Sequence, residues 1–585
     1  MIPAGTWYLV ANGFRLTATI APAGAGFTGS LDTGETLDSF SWDPATELLQ
    51  FRRPAPGQWY RATIAGGVLA GRFSSGTPSQ PPLSAYAYHV TGWSPDALDD
   101  DVVPRVWDLT VNTNFRARLR VDRGDAGLLA TLKFYSPEGT EEDLTGVQWD
   151  GTHLGFTRGT QVYTGTVSGR TVTGTFSQGG SGSFPWTGTR AEVLTHGLAP
   201  MAATDRAAWQ ERARAMLALL TMAGNPEPLS VATTVLHGGL SPITGANPPD
   251  RDDDPDRHPQ SYTLTELSWS HTLPNPYGGA PIVRSSHGYL AVPNGLAPGE
   301  QRPAVLALNG HGGSGWQCMN PANGIFWYGD GWARRGYVVL AVDIGHRNDS
   351  PLYSDVPNGD DPAHGNGPHP SIKAAGFDTD WEEDGERTWD CMRALDYLLS
   401  LPYVDPAKVV VTGISLGGEI TTYVGAMDER CKVVIPAGWS PDLSTLLVLG
   451  SHGCWRWTHA DIREYIDNSD LLALVAPRTL TVMTGRQDTT FSVASPPFMG
   501  DKQVIRRTAS AYADVAERLS HYLHYDFHVY HVGGYSPGKQ PPAGFQNGVQ
   551  VTRVAAPSSP GSTGWQSDPG TQPETLFDLV SRALG

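Results

Sequence analysis

Four cysteines in 585 residues are too few, and too unevenly placed, to staple this chain together: Cys318, Cys391, Cys431 and Cys454 all fall in its second half. None forms a C-x-x-C pair, so neither a disulfide scaffold nor a thiolate zinc site is expected. Cys431 and Cys454 can be read equally as a pair or as two buried thiols. Positive charge is also scarce. With 41 Lys and Arg against 59 Asp and Glu the formal net charge is −18, which argues against nucleic acid or an anionic membrane as the main partner. No stretch reaches the roughly 18 uncharged apolar residues that a membrane span requires. The opening Met1-Ile2-Pro3-Ala4-Gly5-Thr6-Trp7 has neither the basic nor the apolar region of a signal peptide. The expectation is a soluble chain, either cytoplasmic or secreted with its signal removed, and its oligomeric state is not legible.

What the chain does have is length, glycine and proline. At 585 residues it exceeds the roughly 250 to 300 at which a single core stops growing, so at least two domains are expected. Its 68 Gly and 46 Pro imply many turns between short elements.

Residues 1–190 alternate apolar and polar positions between glycine-rich turns, as in Thr6-Trp7-Tyr8-Leu9-Val10 and Gln161-Val162-Tyr163-Thr164-Gly165-Thr166-Val167. That is an antiparallel β pattern. The pattern also repeats. Gln58-Trp59-Tyr60-Arg61-Ala62-Thr63-Ile64 with Phe73 answers Gln161 to Val167 with Phe176 at a common offset of 103 residues, while Trp42 answers Trp149 and Trp7 answers Trp107. Two related β-meanders, 1–95 and 96–190, are therefore expected, each closing into a small barrel or packing as a sandwich. Their repeated tryptophans suit two small cores better than an exposed binding platform.

A helix is expected over 204–223, with Trp209, Ala213, Met216, Leu217 and Leu220 on one face. It falls in a linking segment, 191–259, whose acidic run 249–256 reads as a solvated loop without the ligand spacing of a calcium site. From 260 to 585 the pattern changes to short apolar strands alternating with helices, the order of a mostly parallel sheet. Strands are expected at 304–308, 337–342, 409–412, 432–436, 480–483 and 527–530, and helices at 381–401, 419–427 and 504–523.

One motif in this region carries chemistry. Val411-Thr412-Gly413-Ile414-Ser415-Leu416-Gly417-Gly418-Glu419 reads as a buried strand, a G-x-S-x-G turn and a helix start. That arrangement exposes a serine hydroxyl beside backbone amides. Among 68 glycines the five-residue pattern can arise by chance, but a strand before it and a helix after it favour a nucleophile elbow. Ser415 then needs a histidine base and a carboxylate to orient it, each following a later strand. The strand 479–484 and the Gly485 turn lead to Asp488, the expected acid. The amide of Leu416 is one oxyanion donor. Asn309-Gly310-His311-Gly312-Gly313 follows an earlier strand, and His311 or Gly312 would supply the second.

The order of these segments, together with Gly288-Tyr289-Leu290-Ala291-Val292-Pro293, Gly336 to Asp343 and Ala476-Pro477-Arg478, resembles the α/β-hydrolase superfamily near its dienelactone-hydrolase and acetyl-xylan-esterase-like branch. The resemblance spans about 285–535 and implies carboxylic-ester hydrolysis through an acyl-serine, with neither metal nor organic cofactor. It implies a histidine just after the last strand, where this chain departs from the pattern. The stretch Tyr530-His531-Val532-Gly533-Gly534-Tyr535 places Tyr535 at the usual histidine position. His531 is the expected base, with His528 as the alternative, while His521 and His524 are assigned to the end of the preceding helix. Tyrosine, with an ordinary pKa near ~10, is a poor base at neutral pH.

The expected whole is multidomain: a duplicated all-β region followed by an α/β-hydrolase domain acting on a small or polymeric ester. Two other readings stand beside it, a prolyl-oligopeptidase-like serine peptidase and a non-catalytic binding protein on a decayed hydrolase scaffold. The segments 349–380 and 451–466 are the expected walls of the substrate site.

Overall fold

A computed structural model describes residues 3–74, 88–94, 106–190, 195–220, 229–237, 262–273, 282–344, 383–442, 466–491, 499–531, 549–553 and 576–585, excepting short connections within them such as 125–126, 311–313 and 320–327. All statements below concern these residues.

The first eight strands are β1 (Gly5–Ala11), β2 (Phe14–Ala23), β3 (Gly26–Leu31), β4 (Thr36–Asp43), β5 (Leu48–Arg53), β6 (Gln58–Ala65), β7 (Val68–Ser74) and β8 (Tyr88–Trp93). Each pairs antiparallel with the next, and β8 returns to β1 with Tyr8 opposite Trp93, so the sheet closes into a barrel. Closure removes the free edges that would otherwise invite pairing with other chains. Trp7, Leu49, Tyr60, Ile64 and Val90 fill its centre.

Nine strands make the second β unit: β9 (Val106–Val111), β10 (Phe115–Gly124), β11 (Gly127–Phe134), β12 (Glu142–Asp143), β13 (Thr145–Trp149), β14 (His153–Arg158), β15 (Gln161–Ser168), β16 (Thr171–Gln178) and β17 (Ser181–Arg190). Their order is β12-β11-β10-β9-β17-β16-β15-β14-β13, with β17 returning beside β9 as β8 returns beside β1. The sheet curls until β11 lies against β13, a barrel just short of closure.

The two units share side-chain detail. Phe51, Tyr60 and Phe73 stack in the first, and Phe156, Tyr163 and Phe176 in the second. Beside each stack an arginine pairs with a glutamate and reaches a glutamine that accepts from the tyrosine: Arg53, Glu35, Gln58 and Tyr60, then Arg158, Glu142, Gln161 and Tyr163.

Helix α1 (Ala203–Leu220) follows, burying Trp209, Ala213 and Leu217, and packs against β7 and β8 on one side and the third unit on the other.

The third unit is one sheet of β18 (Ser230–His237), β19 (Tyr262–Leu273), β20 (Ile282–Pro293), β21 (Arg302–Leu308), β22 (Val338–Val342), β23 (Val404–Ile414), β24 (Val433–Ala437), β25 (Thr479–Gly485), β26 (Leu519–His524) and β27 (Val549–Arg553). Its order is β18-β19-β20-β22-β21-β23-β24-β25-β26-β27. The six strands from β22 to β26 in this order run parallel, and the edges are antiparallel. Helices cover both faces. On one lie α1, α4 (Glu383–Ser400), α5 (Leu416–Met427), α6 (Asn468–Ala473) and α7 (Met499–Thr508); on the other lie α2 (Gly315–Met319), α3 (Tyr328–Ala333) and α8 (Leu576–Leu584). Alternate residues of β21 split accordingly: Ala304, Leu306 and Leu308 meet the first layer, Val305 and Ala307 the second. Both faces are buried, so the strand reads as an unbroken apolar run.

One stretch of the sequence reading is corrected. The helix expected over 504–523 stops at Thr508, gives way to 3₁₀ turns at Ala509–Tyr512 and Ala516–Arg518, and is followed by β26, which carries His521 and His524. No strand forms at 527–530. Every residue of β26 is buried, Ser520, His521 and His524 included. A strand buried on both faces shows no alternation, so periodicity could not separate it from the helix before it. Cys318, Cys391 and Cys431 are buried and stand in no disulfide. Cys454, the acidic run 249–256 and most of the expected walls, 349–380 and 451–465, lie outside the described residues, as does Tyr535.

Candidate active site

Strand β23 delivers Ser415 at the carboxyl edge of the sheet, between β21 and β24. Ser415 takes φ 59° and ψ −120°, a conformation costing a non-glycine residue on the order of 1–3 kcal/mol. Packing enforces it. The backbones cross so tightly here that a Cβ on Gly413 would come within 2.5 Å of the Leu308 carbonyl oxygen, and one on Gly417 within 2.1 Å. Only glycine on both sides lets β23 turn into α5 against the end of β21. The Ser415 amide donates to the Ala437 carbonyl at 2.9 Å, tying the turn to β24, and its side chain makes no capping bond to the helix. The hydroxyl thus stands at the amino end of α5, where Leu416 presents the first helical amide.

After the next strands come a carboxylate and an imidazole that meet. Asp488 follows β25, its amide donating to the Gly485 carbonyl at 3.0 Å, and one carboxylate oxygen accepts from the Thr490 amide at 2.9 Å. The other oxygen lies 2.6 Å from Nδ1 of His528. Burial alone would raise the Asp488 carboxyl, but the bond and charge of His528, with Thr490, hold it below its ordinary value. The carboxylate stays ionised and fixes the imidazole with Nδ1 toward it. Nε2 is buried and has no protein partner among the described residues.

His528 reaches this position because β26 ends at His524, four residues before it. Its ring rests on Gly438, the residue after β24: a Cβ there would stand 2.9 Å from Cε1 and 3.1 Å from Nδ1. Phe491 contacts the ring edge-on, and Trp439 contacts Phe491 in turn. Ala437 receives the Ser415 amide, and the imidazole lies against the following residue, Gly438.

His531, the histidine expected as base, does not meet Asp488. Its Nδ1 lies 3.1 Å from the Tyr522 hydroxyl, its ring stacks on His524, and it is 5% exposed. His524 is held well below the ordinary histidine pKa by burial and by the neighbouring imidazoles. The difference follows from the misplaced strand: with β26 taken six to eight residues too late, the loop after it was expected at 531 rather than 528.

Of the expected oxyanion donors, Leu416 opens α5 directly after Ser415, whereas His311 and Gly312 lie outside the described residues. The ends of their loop are nonetheless pinned. Asn309, fully buried, accepts the Ile344 amide at 3.0 Å, and the Gly315 amide donates to Asp343. Asp343 is itself held by His287, whose Nδ1 lies 2.7 Å from Asp343 and Nε2 2.8 Å from Glu266. The Asp343 bond, assisted by Glu266, raises the His287 pKa. No sequence motif announced this clamp, because its members come from β19, β20 and the residue after β22.

A half-buried carboxyl also adjoins the site. Asp501 on α7 accepts from the Ser440 hydroxyl at 2.7 Å, and burial together with the Asp488 charge pushes it up to about 7.

Residues 288–444 match the dienelactone hydrolase family, so the C-terminal part carries a domain of that family. YtaP of Bacillus subtilis, described as a hydrolase, is 28% identical over 107 residues, 18% of this chain and 36% of that protein, so the chain spans little more than a third of that relative's length. Among solved structures, a protein described as an acetyl xylan esterase from Bacteroides fragilis shares 15% identity, with 58% of this chain and 79% of that one covered and a TM-score of 0.38. A glucuronoyl esterase from Solibacter usitatus gives the same identity, chain coverage and TM-score, with 93% of its own chain covered.

Proposed function

We propose that this chain is a serine carboxylic-ester hydrolase in which Ser415 is the nucleophile, His528 the base and Asp488 the residue that orients it. The observation that carries the reading is the 2.6 Å contact between His528 Nδ1 and Asp488, with the imidazole against Gly438, the residue after the one whose carbonyl accepts the amide of the strained, half-buried Ser415. The hydroxyl of Ser415 attacks the ester carbonyl carbon while its proton passes to Nε2 of His528. The carbonyl oxygen becomes an oxyanion facing the amide of Leu416, with the second donor from His311 or Gly312. When the intermediate collapses, His528 returns the proton to the departing alcohol and leaves an acyl-serine. Water, deprotonated by the same imidazole, attacks that acyl group and regenerates the enzyme. Asp488 stays ionised throughout and stabilises the imidazolium.

The prolyl-oligopeptidase-like alternative is disfavoured by the β region, which forms a barrel and a nearly closed sheet rather than radial blades. The decayed-scaffold reading drew its weight from Tyr535, and a histidine already paired with Asp488 removes that support. We further read the two β units as a duplication, on their common strand order and matching Arg-Glu-Gln-Tyr sets, with boundaries at 1–95, 96–190, 191–259 and 260–585. A large or polymeric ester suits a catalytic domain preceded by two such units.

The test is a hydrolysis screen with short- and long-acyl nitrophenyl esters, acetylated sugars, aromatic esters and a prolyl peptide, run beside Ser415→Ala. Ester turnover that vanishes in the variant supports the proposal; peptide cleavage without ester cleavage would replace it.

A further inference from the structure

The segment 438–442 backs the base. Gly438 touches His528, Ser440 donates to Asp501, the Pro441 carbonyl accepts from the Asn468 side chain at 3.0 Å, and Asp442 meets Arg507 at 3.2 Å. Its far end therefore enters a cluster of buried charges, and half of that cluster belongs to the second β unit. Arg120 on β10 bonds Asp467, the capping residue of α6, and Arg118 stands 3.7 Å from the same carboxylate. Glu141, just before β12, lies 3.6 Å from Arg507, and Arg507 is also 3.8 Å from Asp467. The side chains of Arg118, Arg120, Glu141, Asp442, Asp467 and Arg507 are each at most 5% exposed. Burial would raise the Asp442 carboxyl, but the charges of Lys133, Arg507, Arg118 and Arg120 hold it well below its ordinary range.

Such a cluster is a poor source of stability, since dehydrating the ions consumes most of what their attraction returns, and apolar residues often serve as well. What it does provide is geometry. Arg120 donates to Asp467 and Arg507 to Asp442, and a charge-assisted hydrogen bond fixes direction as well as distance, while the pairs at 3.6–3.8 Å add attraction. We propose that the second β unit is a positioning element of the catalytic site: through Arg118, Arg120 and Glu141 it fixes Arg507 and Asp467, and through them the segment 438–442 on which His528 rests. This rests on the esterase reading above and deepens it. The β unit needs no contact with substrate to govern turnover, because the base it positions is separated from it only by Arg507, Asp442 and the backbone from Asp442 back to Gly438.

The experiment compares three variants of the full chain with the parent, using an activated nitrophenyl ester and the rate of Ser415 labelling by a fluorophosphonate. Arg120→Met and Glu141→Gln remove β-unit members of the cluster. Asp143→Asn removes an ion pair of the same interface, to Arg506 at 2.8 Å, that does not reach 438–442. The inference predicts that the first two lower kcat and the labelling rate by roughly tenfold or more, with KM within about threefold, since small misplacements of a catalytic group cost that much. Asp143→Asn should match the parent. Rates are taken well below each variant's Tm and normalised to folded protein, and if Arg120→Met does not fold, Glu141→Gln decides alone. Equal effects in all variants, or parental rates in both cluster variants, would overturn the inference while leaving the esterase reading intact. A parent whose turnover survives Ser415→Ala would overturn both.

Discussion

Replacing Gly438 by alanine tests the geometry of the base at a residue that takes no part in the chemistry. The new methyl would stand 2.9 Å from Cε1 and 3.1 Å from Nδ1 of His528, and 3.5 Å from a carboxylate oxygen of Asp488. Carbon atoms in contact sit at about 3.5–4.0 Å, so the ring or the segment must yield by at least about half an ångström. Gly438 also has φ +57°, a conformation that costs an L-residue roughly 1–2 kcal/mol. The ring cannot retreat toward Asp488, already 2.6 Å away, and Phe491 closes another side. It must therefore swing off the serine or lose its carboxylate. A displacement of this size is expected to lower kcat by about 10- to 100-fold, with KM little changed and Tm lowered by a few degrees. Steady-state kinetics with an activated ester and a thermal melt measure both. Parental kcat in a folded Gly438→Ala protein would show that His528 is not the group whose position limits turnover.

Other outcomes follow from the same coordinates. Ser415→Ala should abolish ester cleavage without loss of stability, and mass spectrometry should find fluorophosphonate on Ser415 and on no other serine. Asp501, whose folded pKa of about 7 lies above the unfolded value of 3.8, binds more protons in the folded state across that window; stability therefore falls as pH rises from about 4 to 7. Asp501→Asn should flatten that fall, and melts of parent and variant at several pH values decide it. His287, with its pKa raised, contributes stability that is present below the unfolded histidine pKa and lost as pH rises through the folded one. His287→Gln should remove that loss and slow turnover by loosening Asp343 from the Gly315 amide; unchanged kinetics would limit the clamp to a structural role. Deleting 1–190 should sharply reduce small-ester activity, because Asp442, Asp467 and Arg507 lose their β-unit partners; parental kcat in a folded truncation would refute this.

How far the sequence reached depended on the kind of signal each element carries. Ser415 and Asp488 were legible because glycine turns mark them, and a turn is a local property that needs no partner to be recognised. The strands flanking them were legible as apolar runs of the right length. His528 was not, because its position depends on where β26 ends, and a strand containing Ser520, His521 and His524 has no hydrophobic signature. Its polar residues are accommodated by neighbours distant in sequence, as when Ser520 meets Thr481 at 3.0 Å. The His287 clamp and the charge cluster at 438–442 share that property. Arg120 and Asp467 are 347 residues apart, and each alone reads as an ordinary surface charge.

The most direct test sets the two histidines against each other in one assay. With a single activated ester, His528→Ala should lose several orders of magnitude in kcat, comparable with Ser415→Ala, because the members of such a triad act as a unit. His531→Ala removes a partner of Tyr522 and the ring stacked on His524 and should retain kcat near the parental value, with its cost appearing in Tm. Loss of turnover in His531→Ala with activity preserved in His528→Ala would contradict the account.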